Sequence, residues 1–449
     1  MTKPTQSREL VLDILLEILE KGGYSHVVLR QALEKYQYLD KQDRAFITRM
    51  TEGTIEYRMT IDAVINKCSK VPVEKMKPVI RTILRMSVYQ IFWMDRIPDR
   101  AVCNEAVNLA IHRRFAGLKG FVNGVLRSII REKDSFDFSD WALKYSMPQW
   151  MIDMWRQQYT SETVEKMLQA FLQDKPTAVR CNLDKASMED ICTSLREEGV
   201  QVEKSPVADR GLLISGYDYL EGLTAFQNGY IQVQDASSSL VGQAADPKEG
   251  NEILDVCGAP GGKSLDMADR LKGTGLVTVR DLTDQKVELI EENIFRSGFS
   301  NIRAEVWDAL EFDSTWKNRA DIVLADLPCS GLGIIGKKPD IKYQVSKEQI
   351  DSLADLQRQI LSVVCQYVKP GGKLIYSTCT ISQKENQEQR NWFLENFSEF
   401  EAVDLEEKLG KSLKEASLKD GYIQLLPGVH PCDGFFIAAF RKKAEEEGL

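Results

Sequence analysis

Residues Glu252 to Leu271 read EILDVCGAPGGKSLDMADRL, and this stretch decides the fold of the C-terminal half. A short apolar run, a turn carrying Gly258, Gly261 and Gly262, and an amphipathic pattern follow one another, as expected of a buried strand, a glycine loop and a helix. Such a loop lets a ligand approach the backbone closely. A phosphate-binding P-loop would need its first glycine at Cys257, so that motif fails by one position. A dinucleotide fingerprint fails too, because Ala259 and Pro260 follow Gly258 directly.

Downstream of the loop, strand-like runs alternate with helical stretches from about Tyr230 to the end, predicting a doubly wound α/β domain with its chemistry at the strand ends. LVTVR leads into Asp281, nineteen residues after Gly262, where a carboxylate can accept both ribose hydroxyls; IRAEVW leads to Asp308. Acidic groups at two successive strand ends would repel a pyrophosphate. They suit an adenosine ligand bearing a cation, as S-adenosylmethionine does with its sulfonium. The expected cofactor set is Cys257, Gly258, Ala259, Pro260, Gly261, Gly262, Lys263, Asp281, Asp308 and Asp326.

Two further strand ends carry thiols. DIVLA runs into DLPCSGLG with Cys329, and KLIYS, behind a VKPGG turn, runs into STCT with Cys379. In a doubly wound domain both ends face one crevice, which points to covalent catalysis by a cysteine. A thiol of ordinary pKa is only about 3% ionised at pH 7, so the site must favour the thiolate, and Lys263 is a candidate source of positive charge. The spacing does not decide which thiol attacks.

Upstream, Leu10, Val11, Ile14, Leu15, Ile18 and Leu19 recur at helical spacing and stop at Gly22 and Gly23. Similar patterns over Asp43 to Asp62, Val79 to Met94, Ala101 to Arg113 and Phe121 to Arg131 predict an all-helical bundle over residues 1–140. The charged run REKDSFDFSD ends it. A small α/β connector with the alternating run TAVRCNL is expected over 141–229, before a catalytic domain at 230–449.

Composition narrows the classes. Hydrophobic residues make up 43% and charged ones 28%, ordinary for a globular chain. No apolar run suggests export or membrane insertion, so a cytoplasmic location is expected. The nine cysteines then read as reduced thiols. Three scattered histidines and no CxxC pair leave a metal site almost no ligands, and none is expected. Net charge is −9, yet residues 1–140 hold 23 Lys and Arg against 18 Asp and Glu, so a polyanion should meet that third first.

Two resemblances extend this reading. DRAFITRMTEGTIEYR (43–58), YQIFWMDRIPDRAVCNEAVNLA (89–110) and KGFVNGVLRSI (119–129) resemble the NusB RNA-binding fold. QDASS (234–238), DVCGAPGGK (255–263), DLPCSG (326–331), KKPDIKY (337–343), STCT (377–380) and DGFFIAAF (433–440) resemble the NOL1/NOP2/Sun RNA cytosine-5 methyltransferases, in their bacterial 16S rRNA branch. That resemblance implies a class I S-adenosylmethionine methyltransferase domain and 16S rRNA or a small-subunit precursor as partner, with the protein acting as a monomer. It also implies Cys379 as nucleophile and Cys329 as the thiol that aids product release. Asp326, at the start of the first cysteine motif, is the expected catalytic group on the N3/N4 edge of the base. Gly336, where relatives commonly carry a basic residue, and Met147, in place of a usual His, depart from the pattern. An RNA-binding factor without turnover, or a transfer RNA substrate, are the competing readings.

Overall fold

A computed structural model describes residues 4–36 and 38–444. The chain divides into two compact units, residues 1–172 with 335–344, and residues 173–334 with 345–449.

The first unit is all helical. Helices Pro4–Lys21, Pro78–Trp93, Asp99–His112 and Lys119–Arg131 follow the predicted apolar stripes, and Leu12, Leu15, Ile83, Leu84 and Leu126 are fully buried among them. Each such side chain stabilises the core by roughly 1.5–3 kcal/mol. The stretch expected to run unbroken from Asp43 to Asp62 is two helices, Lys41–Glu56 and Arg58–Cys68, meeting at Tyr57. Tyr57 stacks on Trp93 with ring centroids 4.3 Å apart, so an aromatic contact outweighs helical continuity there. Helices Gln149–Gln158 and Ser161–Phe171 also belong to this unit, burying Trp155 and Met147.

Residues 335–344 are the unexpected part of this unit. They carry the KKPDIKY motif, in which Lys337 is exposed but Asp340 and Lys342 are buried. Asp340 accepts hydrogen bonds from Ser25 N at 3.1 Å and Ser25 Oγ at 2.5 Å. Lys342 Nζ donates to the Glu56 carbonyl at 2.7 Å, and the Tyr343 hydroxyl donates to that of Ile55 at 2.9 Å. The Arg58 guanidinium lies 3.6 Å from the centre of the Tyr343 ring. Gly336 has a local reason: a Cβ would stand 3.2 Å from the Phe171 carbonyl oxygen.

The second unit holds two sheets. The smaller is antiparallel, with strands β1 (Thr177–Cys181), β2 (Gln201–Lys204), β3 (Gly211–Ser215) and β4 (Ile231–Val233) in the order β2-β3-β1-β4. The larger contains β5 (Glu252–Asp255), β6 (Leu276–Asp281), β7 (Ile302–Val306), β8 (Ala320–Asp326), β9 (Val368–Thr378), β10 (Phe400–Ala402), β11 (Tyr422–Leu425) and β12 (Phe435–Lys442). Its order is β10-β12-β9-β8-β5-β6-β7, with β11 on β12, parallel from β9 to β7 and antiparallel around β12. The strand order reverses between β5 and β8, the switch point at which such sheets open a crevice. β9 runs straight through VKPGG instead of starting after it; the ladder with β8 absorbs an irregularity at Ala320 and Ile322. No helix among the described residues is long and apolar enough to cross a membrane.

Arg180, 1% exposed, ties the small sheet to helix Gly262–Arg270. Its guanidinium lies 3.3 Å from Asp269 Oδ2, which Arg210 also reaches at 2.6 Å, and donates to Gln234 Oε1 at 2.8 Å. The QDASS motif is thus partly structural. Gln234 holds Arg180, and Asp235 Oδ1 caps the next helix through Ser237 N at 2.9 Å and accepts from Asp433 N at 3.2 Å.

Candidate active site

The glycine loop leaves β5 beside the switch point. Gly258 has no room for a side chain: a Cβ would overlap Val279 and stand 3.0 Å from Asp255 Oδ2. Gly261 has φ +100°, a left-handed conformation that favours glycine, and caps helix Gly262–Arg270. At Gly262 the space is more open, the nearest atom to a Cβ being Gln234 Cδ at 3.8 Å. The loop therefore presents bare backbone at a helix N-terminus.

Carboxylates surround it. Asp255 is fully buried, accepts a hydrogen bond from Ser264 Oγ, and is pushed by burial to about 7. Asp281 Oδ2 accepts from Ala259 N at 3.0 Å, so it braces the loop directly; its Oδ1 accepts from Lys286 Nζ at 2.8 Å. Asp308 lies two residues beyond β7, where Oδ1 accepts from Leu310 N at 2.9 Å in a local turn. The residue before it, Trp307, is tied to the end of β6, its N donating to the Asp281 carbonyl at 2.9 Å. This donor set, with its bare glycine backbone, fits a ribose and a cationic sulfonium and disfavours phosphate.

The two thiols meet. Cys329 Sγ and Cys379 Sγ are 3.3 Å apart, at the ends of paired strands β8 and β9. Their loops are stitched together: Gly333 N donates to the Cys379 carbonyl at 3.0 Å, Gly434 N to that of Gly333 at 3.0 Å, and the hydroxyls of Ser330 and Thr380 are 2.7 Å apart. At Gly333 a Cβ would collide with the Gly434 carbonyl, so glycine is required for this crossing.

Lys263 and Asp326 form an ion pair next to the thiols, Nζ to Oδ2, at 2.6 Å, and Ser377 Oγ donates to Asp326 Oδ1 at 2.7 Å. Burial pulls the Lys263 ammonium down, but Asp326 and the Cys379 sulfur pull it up further, so it stays charged. The positive charge expected near the thiols is therefore present but shared with a carboxylate. Cys329 is held well above the ordinary thiol range, by its hydrogen bond to Cys379 first, then by burial and the nearby negative groups. Cys257, although within the loop, is pushed up by burial and by Asp255, Asp281 and Asp326.

Sequence reading missed the residues that hold the Cys329 loop. Glu385 and Gln357, both fully buried, reach it from outside the motifs: Glu385 accepts from Ser330 N at 2.8 Å, and Gln357 Nε2 donates to the Pro328 carbonyl at 2.9 Å. Glu385, six residues past Cys379, was the one signal near a motif.

Comparison with known proteins places these features in context. The family described as "16S rRNA methyltransferase RsmB/F" matches residues 243–441, the NusB family matches 5–131, and a ferredoxin-like domain of RsmF/B-like methyltransferases matches 147–217. The chain is 37% identical to a probable ribosomal RNA small subunit methyltransferase B of Bacillus subtilis (strain 168), over 98% of this chain and 100% of the relative. It is 30% identical to the corresponding protein of Synechocystis sp., over 97% and 99%. Among solved structures it is similar to PH0851, with a TM-score of 0.85 and 26% identity across 98% of this chain and 100% of that one. A methyltransferase homolog from Pyrococcus horikoshii aligns with a TM-score of 0.59 and 28% identity, over 68% of this chain and 98% of that one.

Proposed function

The chain belongs to the 16S rRNA methyltransferase RsmB/F family, and on that premise we propose that it methylates C5 of a cytosine in 16S rRNA through a covalent cysteine adduct at C6, using S-adenosylmethionine. The observation that carries this reading is the 3.3 Å approach of the Cys329 and Cys379 sulfurs beside the Lys263–Asp326 pair. A lone thiol would fit many chemistries. Two thiols beside an acid and a glycine loop fit an addition that must later be undone.

Cytosine C5 is a poor nucleophile. Addition of the Cys379 thiolate to C6 makes C5 enamine-like and able to attack an electrophilic methyl. S-adenosylmethionine, when bound, supplies that methyl. The backbone of Cys257 to Lys263 would cradle it and Asp281 would accept the ribose hydroxyls, with Asp308 just past the neighbouring strand end. Asp326, oriented by Lys263 and Ser377, accepts a hydrogen bond from the N4 amino group of the base, and the Lys263 ammonium beside it offsets the negative charge that addition places on the ring. Cys329 keeps its proton and serves the later step in which the C6–S bond breaks.

In this reading residues 1–140 dock RNA, 141–229 connect, and 230–449 carry the chemistry. The test is Cys379→Ala with 16S rRNA or small-subunit particles lacking the modification. Incorporation of tritiated methyl is expected to vanish while calorimetric binding of S-adenosylmethionine persists; retained incorporation would refute the assignment, and mapping the methylated nucleotide checks the base.

A further inference from the structure

Both residues that flank Cys329 are clasped by buried groups from outside its loop. Glu385 Oε1 accepts from Ser330 N at 2.8 Å and its Oε2 from Ser330 Oγ at 2.5 Å. Gln357 Nε2 donates to the Pro328 carbonyl at 2.9 Å and reaches Glu385 Oε1 at 3.4 Å, while the Tyr376 hydroxyl donates to Gln357 Oε1 at 3.1 Å. A glutamine at 385 would accept from Ser330 N equally well, and burying an amide costs far less than burying a carboxylate. Burial pushes the Glu385 carboxyl up, and its hydrogen bonds from Ser330, Gln357 and Ser382 oppose that rise, so the clasp brings a negative charge as well as a shape to the Cys329 loop.

Charged groups face the thiol pair at both ends. Lys263, paired with Asp326, interacts with Cys379; Glu385 interacts with Cys329, and Tyr376, also beside Cys329, is neutral and pushed further up by burial. The pair thus lies in a field whose positive end is at Cys379 and negative end at Cys329. Once one of the two protons has left, the proton remaining between sulfurs 3.3 Å apart moves toward the negative end.

We propose that Glu385 is a positioning residue of the reaction: its buried charge keeps the shared proton on Cys329 and so leaves Cys379 as the thiolate. This rests on the reading above that Cys379 attacks the base. When the adduct collapses, the C5 proton passes to water, its electron pair closes the C5–C6 double bond, and the C6–S pair departs on the Cys379 sulfur. The Cys329 S–H donates a hydrogen bond to that departing thiolate and keeps its proton. The same arrangement then awaits the next base.

The test uses full-length protein carrying Cys379→Ser, so that among the pair only Cys329 can react, with iodoacetamide alkylation at Cys329 followed by mass spectrometry across pH. Adding Glu385→Gln should lower the alkylation midpoint by about one pH unit or more, whereas Glu385→Asp should restore most of it. An unchanged midpoint in a folded Glu385→Gln protein overturns the proposal. If Glu385→Gln does not fold, Glu385→Met in the same background takes its place with the same two outcomes, and a Cys329 midpoint at or below the ordinary thiol value of about 8.5 in Cys379→Ser overturns the proposal. Alkylation needs no methyl transfer, so this outcome is separate from the fate of the functional reading, which the incorporation assay decides.

Discussion

Lys263 Nζ lies 2.6 Å from Asp326 Oδ2, and the carboxylate's other oxygen is held by Ser377 at 2.7 Å. The pair joins the glycine loop to the end of β8, so one side chain from the proposed cofactor cradle orients the acid proposed to meet the base. Lys263→Met should reduce methyl transfer by on the order of 100-fold, the usual loss when one preorganised charge partner is removed. Single-turnover rates on unmodified small-subunit RNA measure this. A variant within threefold of the parent rate would show that Asp326 needs no such partner.

Cys329→Ala removes the S–H that donates to the Cys379 sulfur as it departs from C6. Attack and methylation should proceed while release slows, so RNA–protein adduct should build up and appear as a retarded band on a denaturing gel. Absence of any such band, with turnover intact, would remove Cys329 from the release step.

Gly258→Ala should be tolerated poorly, because the new methyl would overlap Val279 and press on Asp255. A stability loss of about 1–3 kcal/mol is expected, together with weaker S-adenosylmethionine binding. Urea titration and calorimetry read the two effects separately, and an unchanged urea midpoint would show that the loop has slack here.

Lys342 gives a pH signature in the helical unit. Burial, opposed by Glu56 and assisted by Arg58, pulls its ammonium down to about 7, against about 10.4 in an unfolded chain. Between those values the unfolded chain holds a proton that the folded chain has released. Stability contributed at this position should therefore rise from about pH 7 to about pH 10, by at most about 1.4 kcal/mol per pH unit. Lys342→Met should flatten that part of the profile. Denaturation at pH 7 and pH 9.5, with parent and variant gaining equally, would contradict the assignment.

Much of the second unit was legible because its signals are contiguous. The glycine loop, Asp281 and both cysteine motifs each sit where a strand ends, and a doubly wound sheet gathers strand ends by its topology alone. Glu385 and Gln357 were not legible, since a buried glutamate in QKENQEQR looks like any exposed helical acid until a Ser330 amide is found against it. Asp340 and Lys342 were no more legible. Their charges suggest a solvated or RNA-facing stretch, yet they are 4% and 2% exposed, because distant backbone groups of the bundle satisfy them. The break at Tyr57 depends on Trp93, a partner no local periodicity reveals.

The placement of residues 335–344 within the helical unit bears on how such proteins can be recombined. A chimera that swaps only the first 172 residues for those of a relative would ask a foreign bundle to accept the native Asp340, Lys342 and Tyr343, with Ser25, Glu56 and Arg58 replaced by whatever the donor carries. The ten-residue insert and the bundle form one exchangeable cassette, although the gene writes them more than 160 codons apart.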